Sequence, residues 1–360
     1  MVGEPVPPEV DSGARLVIIT GAGRSGTSTV AGTLKMLGGH IPQPELPPND
    51  ANPRGPFEPR WPVEFNMRVL DDAGVRHLDS RPAALDLMAD ATSNSEYRAE
   101  LSAWLATQLN EPMIVVKDPR MFWLRDLWVD VAADLGVSTG FLTMLRHPAE
   151  VVGSRSMHYH KKAGPDALRV RETVNLAGWV NVMLTNERSS RGGDRVFVHY
   201  LDLIRDWRAT MTEAGAKLGL TYNADLTGRE AHEVDDFIDV GLRRSRVTWD
   251  DLDVPERLRE IADIVQHHLD LLSKDPQDAA AMEGNDEMRV AYDEQYQQAS
   301  AIVRHHISST VAEARAQERR EVTRELKKKW ATQSSPSLPR RVVRRVRAMR
   351  ARRARRSRGD

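Results

Sequence analysis

Cysteine is missing from all 360 residues, which removes disulfides, thiolate metal sites and a thiol nucleophile together. Long apolar runs are missing too: none approaches the roughly 18 residues needed to cross a bilayer. The first residues hold Pro and Glu with no apolar h-region, so no signal peptide is expected and the expected setting is cytoplasmic. Aromatic residues are sparse at 6%, but a hydrophobic content of 40% still suffices for a core. Net charge is nearly absent at −1, and this hides an asymmetry. Residues 340–360 hold eleven Arg and one Asp, leaving 40 basic against 51 acidic residues in the body. A basic tail on an acidic body predicts an anionic partner for the tail.

What is present is concentrated first in residues 16–28. Leu16 to Ile19 are continuously apolar, as in a buried parallel strand. Gly21, Gly23 and Gly26 then allow a tight turn, and Thr27 and Ser28 open a helix. The free N–H groups and positive dipole end of such a helix suit an anion. The nucleotide-triphosphatase pattern G-x-x-x-x-G-K-[ST] is only partly met. Gly21, Gly26 and Ser28 fit, but Thr27 stands where the lysine belongs, and the nearest cation is Arg24.

Residues 1–14 are expected to be a flexible lead-in. Residues 40–62 carry eight prolines and are expected to form a long functional loop. Helices are expected at 63–72, 95–109, 121–134, 148–159 and 167–188. Strands are expected at Met113–Val116, Thr139–Leu145 and Arg195–His199. Strands alternating with helices predict an α/β fold, a P-loop-type parallel sheet flanked by helices, with ligands at the carboxyl ends of the strands. Gly23 and Arg24, Lys117, Arg146 and Tyr200 all fall at such ends. Residues 15–280 are taken as the main domain. Residues 281–333 are taken as a long polar helix, a weak coiled coil able to pair two copies, and residues 334–360 as the Arg-rich tail.

The loop, with its basic residue and helix-opening Thr and Ser, resembles the 5′-phosphosulfate loop of sulfotransferases that use 3′-phosphoadenosine 5′-phosphosulfate (PAPS). Arg146 at a strand end and Ser154 eight residues on resemble the family's 3′-phosphate motif. Tyr200-Leu-Asp202-Leu is similar to its Tyr-Glu-Asp-Leu segment, with Leu201 departing from the pattern. The resemblance covers about residues 15–250. It implies a sulfuryl donor, PAPS, bound by Gly23, Arg24, Ser25, Gly26, Thr27 and Ser28, by Arg146 and Ser154, by Tyr200 near the adenine, and by Arg243 in a late basic loop. No metal is expected.

The acceptor hydroxyl needs a base. Vertebrate cytosolic members use a His after the second strand, but here that stretch reads Lys117-Asp118-Pro119-Arg120. Asn52-Pro-Arg-Gly55-Pro-Phe-Glu58 resembles the Asn-x-x-Gly-x-x-Glu segment of bacterial members, which points to Glu58 as base. The plain alternative is a surface pair of Glu58 with Arg54 or Arg60. Lys117 and Arg24 are expected to neutralise charge on the bridging oxygen, against the alternative of a structural salt bridge at Lys117. A glycan, a glycolipid or another small metabolite is the expected acceptor. Val342, Val343, Val346 and Met349 make a thin apolar stripe on the basic tail, suiting the inner face of an anionic membrane, with nonspecific nucleic-acid binding and a disordered solubilising tail as the rivals. A P-loop kinase using ATP and Mg²⁺, with Asp118 on the metal, is the rival. A membrane-tethered scaffold is the non-catalytic one.

Overall fold

Leu16 to Ile19 form the centre of β1 (Arg15–Thr20), and alternate side chains go to opposite faces of the sheet. The structure is a computed structural model describing residues 13–50, 52–159, 164–228, 230–238, 241, 246–333, 345, 348 and 349. β1 leads through the glycine turn into α1 (Thr27–Met36). Then come α2 (Arg60–Ala73), α3 (Ala84–Thr92), α4 (Ser95–Ala106) and β2 (Met113–Lys117). They are followed by α5 (Arg125–Asp134), β3 (Ser138–Leu145), α6 (Pro148–Tyr159), α7 (Pro165–Ser189) and β4 (Asp194–His199). The chain continues with α8 (Tyr200–Arg205), α9 (Trp207–Leu218), α10 (Glu233–Phe237), α11 (Glu256–Lys274) and α12 (Ala279–Gln333).

The four strands are parallel and lie in the order β2-β1-β3-β4. Leu16 pairs with Ile114 on one side, and Ile18 with Phe141 on the other. The chain leaves β1 toward β2 and later returns to its other flank, so the crevice opens at the carboxyl end of β1. Leu16, Ile18, Ile114, Val116 and Phe141 pack on one face with α2, α5, α7 and α11. Val17, Ile19, Val115, Leu142 and Val198 pack on the other with α1 and α9. Both faces are covered, which is why the strands read as unbroken apolar runs.

Three details differ from expectation. The Pro-rich loop ends sooner, because α2 begins at Arg60 and takes Pro62 into its first turn, where a missing N–H costs nothing. Met121–Leu124 is a 3₁₀ turn ahead of α5, because four consecutive buried side chains do not suit one stripe of an α-helix. The helix α3 has no counterpart in the expectation. The described residues divide into two compact units, the second beginning at Gln297. The start of α12 belongs to the first unit: Ala281, Asn285 and Tyr292 are buried. Beyond Tyr296, α12 exposes Ile302, Val303 and Ile307 along with its charges. No helix among the described residues is long and apolar enough to cross a membrane. The tail, apart from three positions, and all but the last two lead-in residues fall outside the described residues.

Candidate active site

The loop after β1 is shaped by what it touches. Gly21 has φ +125°, and a Cβ there would stand 2.7 Å from the Met144 carbonyl oxygen of β3. Gly26 has φ +94° and begins α1 without a side-chain cap, so the first N–H groups of the helix are left for a ligand. A Cβ on Gly26 would meet the Tyr200 ring at 2.3 Å. Among the described residues two non-glycines hold positive φ, Arg24 at 82° and Phe57 at 54°, and both line the same cavity. Backbone strain of this kind clusters at ligand-binding and catalytic sites in general, which makes this cavity the candidate.

The side chains around the loop are joined in series. Arg24 Nε donates to Ser154 Oγ at 3.2 Å. Arg146 Nη1 donates to the Arg24 carbonyl at 3.1 Å, and its Nε to Glu150 at 2.8 Å. The same guanidinium lies 5.0 Å over the Tyr200 ring. At the end of β2, buried Lys117 donates to the Glu58 carboxylate and, at 3.3 Å, to Ser28 Oγ. Glu58 is thus drawn inward rather than paired with Arg54 or Arg60. Arg54 instead donates to the Phe237 carbonyl.

Of the expected residues, Gly23, Arg24, Gly26, Thr27, Ser28, Glu58, Lys117, Arg146, Ser154 and Tyr200 line this one cavity. Ser25 does not; its Oγ is buried without a partner. Arg243 lies outside the described residues. Asp118, the proposed metal ligand of the kinase reading, is turned into the interior. It accepts from Asn66 at 2.9 Å and from Arg120 at 2.7 Å, and burial pushes its pKa up despite Arg120. Among the described residues no three His, Asp or Glu side chains are grouped to hold a metal.

A model of the sulfotransferase family matches residues 17–224, more than half of the chain. The chain belongs to the sulfotransferase family. Sulfuryl transfer is the chemistry of that family, and the matched span holds the loop and the Arg146–Ser154 pair. Solved structures with some likeness include the sulfotransferase domain of an olefin synthase from Synechococcus PCC 7002. That domain is 18% identical, over 65% of this chain and 83% of its own, with a TM-score of 0.36. A sulfotransferase from Mycobacterium tuberculosis H37Rv is 16% identical over 71% of this chain and 78% of its own, at a TM-score of 0.38. A sulfotransferase domain from the curacin biosynthetic pathway is 12% identical over 59% of this chain and 76% of its own, at 0.33. No curated protein matches the chain.

The sulfotransferase cavity also takes residues that the sequence did not single out. His77 comes from the turn after α2, Arg155 from α6 next to Ser154, Phe57 from the Pro-rich loop and Phe237 from the end of α10. The two Phe rings meet edge to face at 5.6 Å. The Phe237 ring sits where a Cβ on Gly32 of α1 would come within 2.4 Å. No spacing or motif marks these positions, because each is brought in by packing between distant segments.

Proposed function

We propose that this sulfotransferase takes PAPS as donor and transfers the sulfuryl group to a hydroxyl of its acceptor. The carrying observation is the joined set Glu150, Arg146, Arg24 and Ser154 beside an uncapped helix start. It offers anion-binding groups both at the loop and at Arg146 and Ser154, linked through Arg24. A nucleotide with phosphates at both 5′ and 3′ positions fits that spacing of charge; a plain nucleoside triphosphate leaves Arg146 and Ser154 without a ligand. Arginine forks at such points recognise phosphate well. Tyr200 backs Arg146 and flanks the adenine, and Phe57 and Phe237 supply further aromatic faces in the same cavity.

In the proposed reaction the loop residues 23–28 hold the phosphosulfate, and Arg24 and Lys117 balance charge developing on the bridging oxygen. Glu58 takes the acceptor proton. Lys117, hydrogen-bonded to both Glu58 and Ser28, links the base to the donor loop. The proposed acceptor is a carbohydrate, glycolipid or other small hydroxyl-bearing metabolite. Eleven arginines in residues 340–360 support an anionic membrane surface as a further partner, and the long exposed helix supports pairing of two copies.

Calorimetric titration with adenosine 3′,5′-bisphosphate, beside ADP and ATP–Mg²⁺, tests the reading. Wild type should prefer the bisphosphate, and Arg146→Ala should weaken it about 100-fold while leaving ADP nearly unchanged. Preference for ATP–Mg²⁺, or indifference to Arg146, would replace this reading with the kinase.

A further inference from the structure

The turn between α2 and α3 is pinned more heavily than a connection requires. Asp79 accepts the backbone N–H groups of Arg76 at 3.0 Å and Arg81 at 2.9 Å, and the Arg81 guanidinium at 2.6 Å. Arg81 also donates to the Gly74 carbonyl at 2.6 Å. Asn181 of α7 donates to the carbonyls of Asp79 and Arg81 at 2.9 and 3.0 Å. Tyr292 of α12 donates to the Ser80 carbonyl at 2.6 Å, and Trp123 Nε1 to the His77 carbonyl at 3.3 Å. From residues 74–83, His77 is the one side chain that lines the active-site cavity. Such bracing costs conformational entropy and fixes the aim of that imidazole.

The aim is at the loop. A Cβ on Gly23 would lie 3.5 Å from both His77 Nε2 and Arg155 Nη1. Among the described residues no hydrogen bond is made to the His77 ring. Desolvation, with Arg155, Arg120 and Lys117 facing it, pushes its pKa down to about 3. The carboxylates nearest these cations are occupied: Glu58 by Lys117, and Asp118 by Arg120. The imidazole is therefore neutral, with one N–H to give and one lone pair.

We propose that His77 is a further catalytic residue, donating a hydrogen bond from Nε2 of its neutral imidazole to an oxygen of the sulfuryl group held beside Gly23. This rests on the donor reading above. In the step itself the acceptor oxygen bonds to sulfur and its proton passes to Glu58. The bond from sulfur to the bridging oxygen breaks, and its electron pair stays on the 5′-phosphate. His77 keeps its proton throughout. A fixed neutral donor stabilises charge shifting across the sulfuryl oxygens without adding a further cation to a basic pocket.

The test uses two ligands: adenosine 3′,5′-bisphosphate, and a PAPS analogue with methylene in place of the bridging oxygen, which keeps the sulfonate. In His77→Ala the analogue should bind about tenfold more weakly, and the bisphosphate should be unchanged within about twofold. His77→Asn, which retains an N–H donor, should recover most of the analogue's affinity. Imidazole ¹⁵N shifts should show His77 neutral at pH 5 with the analogue bound. Equal losses for both ligands, no loss for either, or an imidazolium at pH 5 would overturn the proposal. Wild-type protein that binds neither ligand overturns the donor reading, and the role of His77 with it.

Discussion

The cavity has two walls of different construction. The strand-end wall is made by the loop at 21–28, Lys117, Arg146 and Tyr200. Its polar side chains are already bonded to one another, so a ligand entering there exchanges contacts rather than filling empty valences. The loop wall is made by His77, Phe57 and Phe237. At His77 it is held from behind, where the backbone is braced, and its side chains face the cavity without such polar pairing. The first wall is suited to reading phosphate charge, since paired cations can be redistributed at little cost. The second is suited to fixing geometry. Glu58 belongs to the loop wall by sequence and to the strand-end wall by bonding, which is why it serves to break the comparison.

The largest expected effect is at that junction. Glu58→Gln should lower turnover by about 10²–10⁴-fold, as loss of a positioned base does. It should leave affinity for the bisphosphate intact, since Lys117 keeps a hydrogen-bonding partner. Measuring turnover of labelled PAPS beside calorimetry separates the two. Unchanged turnover would hand the proton to another group and return Glu58 to a purely structural pair with Lys117.

The next effect tests how tightly the strand-end wall is closed. Gly26→Ala places a Cβ 2.3 Å from the Tyr200 ring at a backbone φ of +94°. The combined strain and overlap should cost about 2–4 kcal/mol of stability. Because Tyr200 underlies Arg146, affinity for the bisphosphate should fall as well. Gly74→Ala is the control: its φ is +63°, but nothing lies within 4 Å, so it should carry the backbone penalty alone. Equal melting temperatures for the two variants would show that Tyr200 yields freely and that the wall is looser than its contacts suggest.

The strand-end wall was legible in the sequence because its parts are local. A strand of four consecutive apolar residues, a glycine turn and a helix-opening Ser can be read within 13 residues. Strand ends then follow from the α/β alternation, which places Lys117, Arg146 and Tyr200 with no knowledge of packing. The loop wall was not legible. His77 lies between Arg76 and Leu78 in no motif, and its position depends on Asn181 and Tyr292, more than 100 residues away. The length of the Pro-rich loop pointed to function, but composition alone does not say that Glu58 turns in to Lys117. The first buried turns of α12 were missed for a similar reason: Ala281, Asn285 and Tyr292 are too few and too widely spaced to register as an apolar stripe.

The smallest expected effect lies behind the loop wall. Burial works against the charge of Asp79. The hydrogen bonds from Arg81 and from the backbone of Arg76 and Arg81 outweigh it and hold its carboxyl below the usual range. Asp79→Asn should therefore cost about 1–3 kcal/mol near neutral pH. A carboxyl with a depressed folded pKa adds stability that is complete above its unfolded value, near 4, and fades as pH falls through the folded one. The gap in melting temperature between wild type and variant should thus hold steady from pH 8 to about 5 and close below about 4. Asp118 has the opposite sign, since burial raises its pKa, but it is present in both proteins and cancels in the difference. If the brace exists to aim His77, the variant should also lose affinity for the sulfonate-bearing analogue while keeping affinity for the bisphosphate. A variant that is less stable yet binds both ligands as wild type does would show that the brace serves the fold alone, and that the two walls are independent.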